Sequence, residues 1–113
     1  MSVSVDIVTK GIDILTDRSE RTRRQRLYAM RAAKVIEPYV PLEEGALRGS
    51  EAVSSDYDAG ILTWNTPYAA RQYYDEGLEH TTPGTEHHWD QAMWRDHAGD
   101  MEDYARGLFM GRE

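Results

Sequence analysis

Residues 64–74 read Trp-Asn-Thr-Pro-Tyr-Ala-Ala-Arg-Gln-Tyr-Tyr, and the change of backbone habit inside this stretch decides the fold. Just upstream, Gly60-Ile-Leu-Thr-Trp64 places β-branched and aromatic residues after a glycine break, the composition of a strand. Asn65-Thr66-Pro67 stops it, because proline donates no ladder hydrogen bond and holds the preceding residue extended. From Pro67 the letters predict a helix, with Thr66 as N-cap and Pro67 in the first turn. Tyr68, Gln72 and Asp75 then share one face, and Ala69, Tyr73 and Glu76 the next, until Gly77 ends the run. Rings bury much area at low entropic cost, so a strand feeding so aromatic a helix suits a core or an interface.

Outward from this element, the chain of 113 residues is expected to form one domain, 1–113. Val3, Val5 and Ile7 alternate with polar residues, the period of a half-buried strand. Lys10-Gly11 breaks it, and Ile12, Ile14 and Leu15 open either a short helix or a second extended piece. Asp17 or Ser19 offers an N-cap, and from there to about Glu37 the spacing is helical. Tyr28, Ala32, Val35 and Tyr39 form one stripe beside Ala29, Ala33 and Ile36, and the alanines predict close packing against the sheet. Pro38 and Pro41 end this helix.

Residues 39–50 read as a proline-to-glycine loop, with Gly45 free to turn left-handed and Leu47 as its anchor. Residues 51–55 and 60–64 flank the polar turn Asp56-Tyr-Asp-Ala-Gly60 and predict a β-hairpin. A last helix is expected from about residue 86 to 109, with Thr85 as N-cap and His88 at its third position. Trp89 and Met93 face the core there, and Gly99 bends the middle. Phe109 and Met110 either dock on a neighbouring subunit or fray. The expected fold is α+β: a long N-terminal helix and a C-terminal helix packed on a small antiparallel sheet of three or four strands.

Composition removes several function classes. Without cysteine there is neither a disulfide staple nor a thiolate metal site. No basic segment followed by an apolar run opens the chain, and nothing approaches the ~18 apolar residues of a membrane span. A soluble protein used without export is expected, with no membrane partner. The net charge of −7 is uneven. Residues 1–40 carry eight Lys/Arg against five Asp/Glu, or +3; residues 41–113 carry five against fifteen, or −10. The basic run Arg18, Arg21, Arg23, Arg24 and Arg26 reads first as a solvated helix face and second as a phosphate-contacting module for nucleic acid.

His80, His87 and His88 lie near Glu79, Glu86 and Asp90, all metal-binding types. The i,i+4 histidine pair of a helical metal site is missing, so a solvated loop outweighs a small metal-dependent enzyme using His87 and His88. No nucleophile with a base, phosphate loop or paired carboxylates stands out. Catalytic residues, cofactors and resident metals are therefore expected to be none.

Tyr39-Val40-Pro41, then Gly45-x-Leu47-Arg48-x-Ser50, then the hairpin ending in Asn65-Thr66-Pro67-Tyr68-Ala69-x-x-Gln72-Tyr73-Tyr74, resembles the minor capsid proteins of long-tailed bacteriophages. Counting Trp89-x-x-Ala92, the resemblance covers residues 39–94. The sequence departs from the family at Glu44, where a threonine is usual, and at His87-His88 before Trp89. The resemblance implies a structural virion protein of the neck, a tail-completion subunit at the head–tail junction, present in the host cytoplasm during assembly. It implies copies of itself in a ring, neighbouring head-connector and tail proteins as partners, and genomic DNA passing through the ring lumen. The candidate interface or core residues are Tyr39, Leu47, Arg48, Trp64, Tyr68, Arg71, Tyr73, Tyr74, Trp89 and Phe109.

Overall fold

Strand β1 (Ser2–Asp6) pairs antiparallel with β2 (Ile61–Asn65), joining the start of the chain to its middle. In this register Val3 lies opposite Trp64 and Val5 opposite Leu62. The alternation that the sequence shows in both strands thus turns one face inward, where Val3, Leu62 and Trp64 are buried. On the outer face the hydroxyls of Ser4 and Thr63 meet at 2.8 Å. The computed structural model describes residues 2–7, 18–41, 45–74 and 85–109.

Between the strands come α1 (Arg18–Ile36), a 3-10 turn (Glu37–Tyr39) and α2 (Gly45–Ser54). After β2 follow α3 (Ala69–Tyr74) and α4 (Trp89–Phe109). The fold is α+β, with, among the described residues, four α-helices and a sheet of two antiparallel strands. Of the three or four strands expected from the sequence, two are present among the described residues, and residues 51–55 are not a hairpin arm. They belong to α2 and its C-terminal end, and a single bridge between Asp56 and Ile61 stands where that hairpin ladder was expected. Ala46, Leu47, Arg48, Glu51 and Ala52 are good helix formers. With only Leu47 fully buried and Val53 88% exposed, the segment offers no alternating apolar face for a strand. Gly45 correspondingly opens α2 instead of turning left-handed in a loop.

The small-residue face of α1, with Ala29, Ala32, Ala33 and Ile36 buried, packs chiefly against α4 and only secondarily on the sheet, contrary to expectation. Trp89, Met93, Met101 and Leu108 of α4 complete this layer. The 3-10 turn lets Val40 and Pro41 return to the core, and Arg48 ties α2 to it by donating from Nε to the Val40 carbonyl at 2.8 Å.

Two helix starts differ from the sequence reading. Helix α3 begins at Ala69, whose N–H donates to the Thr66 carbonyl at 3.2 Å, so Pro67 and Tyr68 form a turn ahead of it. Helix α4 begins at Trp89, not at 86 with Thr85 as its cap. Residues 86–88 are held non-helical by long-range bonds: the Glu86 N–H donates to the Tyr39 carbonyl and the His88 N–H to the Tyr73 carbonyl. His88 also adopts a positive φ of 45°, incompatible with a third helical position. The break within α4 falls at His97 (φ −130°, ψ 17°), two residues before the expected Gly99. The expectations for Lys10 to Leu15, Asp17, Glu44, Gly77, His80 and Met110 lie outside the described residues.

Candidate interaction surface

Helix α3 and the start of α4 meet through rings. Trp64 at the end of β2 stands edge-to-face with Trp89 at 5.5 Å, and Trp89 with Tyr73 at 4.8 Å. Tyr73 in turn meets Tyr74 and His88, each at 4.7 Å. Such pairs add about 0.5–1.5 kcal/mol beyond buried area. Tyr73 is buried, and its hydroxyl finds a partner by donating to the Asp90 carboxylate. Burial, and then that bond, push the Tyr73 hydroxyl well above the ordinary tyrosine range.

The cluster runs from core to solvent. Tyr74 is 63% exposed and Tyr68 53%, with exposed Pro67 and Arg71 beside them. Arg71 and Tyr74, three residues apart in α3, are neighbours on its surface, with Pro67 and Tyr68 in the turn that precedes it. Tyrosine and arginine rising from a rigid aromatic base is the composition enriched at protein interfaces.

The candidate residues thus separate by role. Leu47, Trp64, Tyr73 and Trp89 are core; Tyr68, Arg71 and Tyr74 are surface. Arg48 is an internal tie to the carbonyls of Val40 and Pro38. Phe109 is the last residue of α4, and its side chain lies outside the described set.

Tyr39 belongs to a second constellation that no local sequence pattern predicts. Its hydroxyl donates to Asp96 at 2.7 Å, and Arg95 forks between Asp96 and Glu86. The Arg95 guanidinium, and then the Tyr39 hydroxyl, hold the Asp96 carboxyl far below the usual carboxylate range; Arg95 also lowers Glu86. The network ties the turn after α1 to α4 one residue before the break at His97. Burial, followed by a bond to Glu51, raises the Tyr57 hydroxyl.

These shifts set the expected pH dependence. Asp96 and Glu86 bind fewer protons folded than unfolded, so their stabilisation is present above the unfolded carboxylate values of ~4 and is lost below them. Tyr57 and Tyr73 keep their protons longer when folded, so their contribution is present below ~10 and declines above it. Urea unfolding across pH should therefore give a plateau with two falling limbs. Asp96→Asn should make the acid limb shallower and Tyr73→Phe the alkaline limb. Unchanged limbs would contradict these pairings.

Three members of the arginine run are engaged within the molecule. Arg23 and Arg24 pair with Glu20, Arg26 forks onto Asp58, and Arg31 sits over the Tyr104 ring at 5.3 Å. His87 Nδ1 lies 3.1 Å from the Gln72 carbonyl oxygen, while His97 pairs with Asp100. Among the described residues no group of three or more histidine, aspartate or glutamate side chains could hold a metal ion. A cleft of about 370 Å3 between α1, α2 and α4 is lined by Leu27, Met30, Tyr57 and Tyr104 with Arg31 and Glu51 among its polar groups. No helix among the described residues is long and apolar enough to cross a membrane.

What fold and surface together define is a small α+β protein whose prominent exposed group is a Tyr–Arg patch on an aromatic base. Comparison with known families supplies the class: the family model described as minor capsid protein matches residues 2–112, well beyond the 39–94 stretch that carries the resemblance. The chain belongs to this minor capsid protein family and is a structural protein of the phage virion. No curated protein and no solved structure gives a significant match.

Proposed function

We propose that this protein is a subunit of the head–tail junction, a neck or tail-completion protein repeated around the particle axis and joining head connector to tail. Genomic DNA passes through the lumen of the ring so formed. The observation that carries this reading is the Tyr68–Arg71–Tyr74 surface, which has the side chains of an interface and, in a virion protein, calls for a neighbouring subunit to cover it. Rigid mounting strengthens it, since α3 is fixed below by Tyr73, Trp89 and Trp64 and loses little freedom on binding. The role is structural, not enzymatic. The alternative of a nucleic-acid module on α1 is weaker, because Arg23, Arg24 and Arg26 meet carboxylates of their own chain.

A phage lacking the protein tests this directly. Capsids and tail tubes should both form, since a junction subunit supplies surfaces to two partners that neither half supplies alone. Electron microscopy of lysates from a nonsense mutant should show separate heads and tails with few joined particles. Tyr68→Ala should give a milder form of this defect while changing stability by no more than ~0.5 kcal/mol, as exposed sites do. Normal infectious virions in the null mutant would sink the proposal, and absence of filled heads would move the protein to packaging or shell assembly.

A further inference from the structure

Two features of the surface have opposite shapes and matching chemistry. One is the projecting group Tyr68, Arg71 and Tyr74, exposed in α3 and the turn before it. The other is the cleft of about 370 Å3 between α1, α2 and α4. Leu27, Met30, Tyr57 and Tyr104 give it an apolar lining, and Met30 is 48% exposed. A methionine so placed is a flexible thioether that adapts to an entering ring and makes favourable contacts with its edge.

The charges correspond as well as the shapes. Exposed Arg31 and Lys34 are neighbours on α1 beside this lining, and cations so placed attract the face of an aromatic ring. Arg31 already lies in this way over Tyr104. Exposed Glu37 and the Glu51 carboxylate, which accepts from Ser55 and Tyr57, bring negative charge to the same cleft. The projecting group supplies both complements, rings for the cations and the Arg71 guanidinium for the carboxylates.

The two features lie apart in one chain. Tyr73 and Tyr74 pack on His88, next to the first residue of α4, whereas the cleft reaches α4 at Tyr104. From Trp89 to Tyr104, at 1.5 Å per residue, a helix covers roughly 20 Å.

We infer that the Tyr68–Arg71–Tyr74 group of one copy docks in the α1–α2–α4 cleft of the next, its rings against Met30 and Arg31 and its Arg71 toward Glu37. The inference rests on the proposed reading that a neighbour covers this surface, and it names that neighbour as a second copy. Because the contact joins two different patches it runs head to tail, and it closes a ring where the rotation between copies closes. Two rings and one guanidinium fall short of the ~800 Å2 per partner of a standard interface. The contact is therefore weak in dilute solution and strengthened where copies are held together on a particle.

The chain has no cysteine, so single introduced thiols report the contact without background. Tyr74→Cys and Met30→Cys chains are mixed in equal amounts under mild oxidation, and mass spectrometry sorts the disulfide dimers. The dimer joining one chain of each kind should far exceed the share that random collision gives. Arg71→Glu added to the Tyr74→Cys chain should slow its formation about tenfold, and Glu37→Arg added to the Met30→Cys chain should restore it. A misfolded chain would not be rescued by a change in its partner, so recovery isolates the contact. A random distribution of dimers, or a rate indifferent to the charge exchange, would overturn the docking. Either result leaves the junction role to the null-mutant lysate, while normal virions there would remove the junction role and leave the disulfide standing.

Discussion

Trp64→Ala is expected to lower the free energy of unfolding by about 3–5 kcal/mol, the range for truncating a buried large aromatic side chain. Trp64 is 1% exposed, sits opposite Val3 in the sheet, and meets Trp89 edge-to-face. Its removal opens a cavity between the sheet and the α3–α4 junction, bounded by a short strand on one side and ring contacts on the other. The loss is therefore expected beyond simple transfer of the indole to water. Urea unfolding followed by circular dichroism measures it without relying on the fluorescence of the tryptophan removed. A loss under about 1 kcal/mol, ordinary for exposed positions, would contradict the inward face assigned to β2.

Gly60→Ala is expected to be nearly as damaging, at roughly 2–4 kcal/mol, through the backbone and not the core. Gly60 has φ +75°, where a side chain collides with its own main chain, and a Cβ there would lie 2.5 Å from the Ile7 carbonyl oxygen and 2.8 Å from Gln25 Nε2. Neither neighbour is free to withdraw. The Ile7 N–H donates to the Gly60 carbonyl, and Gln25 Nε2 donates to the Ile7 carbonyl at 2.6 Å. Gly99→Ala is the contrasting control. Gly99 lies in α4 with nothing within 4 Å of its would-be Cβ, so alanine should stabilise by up to ~1 kcal/mol. If both changes proved equally harmless, the turn before β2 would not be a close crossing of β1, α1 and β2.

The reach of the sequence follows from which forces are local. Alternation at Val3, Val5 and Ile7 and the helical spacing at Tyr28, Ala29, Ala32, Ala33 and Ile36 are periodic signals, and burial follows them closely. The strand ending in Trp64 was legible from its letters, as was the helix leading to Tyr74, although its first turn came two residues later. What was not legible was partnership. Nothing near residue 60 says that its strand pairs with residues 2–6 and not with 51–55, since both choices satisfy local propensity and only the distant pairing buries Val3 against Trp64. The start of α4 fails for the same reason: Glu86 and His88 look helical in isolation, and carbonyls of Tyr39 and Tyr73 hold them otherwise. Within the candidate surface, ring-rich composition marked the neighbourhood. Which tyrosine turned inward depended on Asp90 and Trp89, residues far enough along the chain to be invisible to helical spacing.

The pairing of β1 with β2 also orders events during synthesis. Asp6 waits for Ile61 and Ser2 for Asn65. At ~5–20 residues per second, roughly 3–12 s separate emergence of the first strand from that of its partner. Through that interval α1 can wind on local contacts, whereas Val3, Val5 and Ile7 have no native sheet to enter. The apolar residues of the first strand are thus exposed throughout that interval. Nascent chains crowded on one message would meet through them before the native sheet could close. Slowing translation between residues 7 and 60 should therefore lower the yield of folded protein.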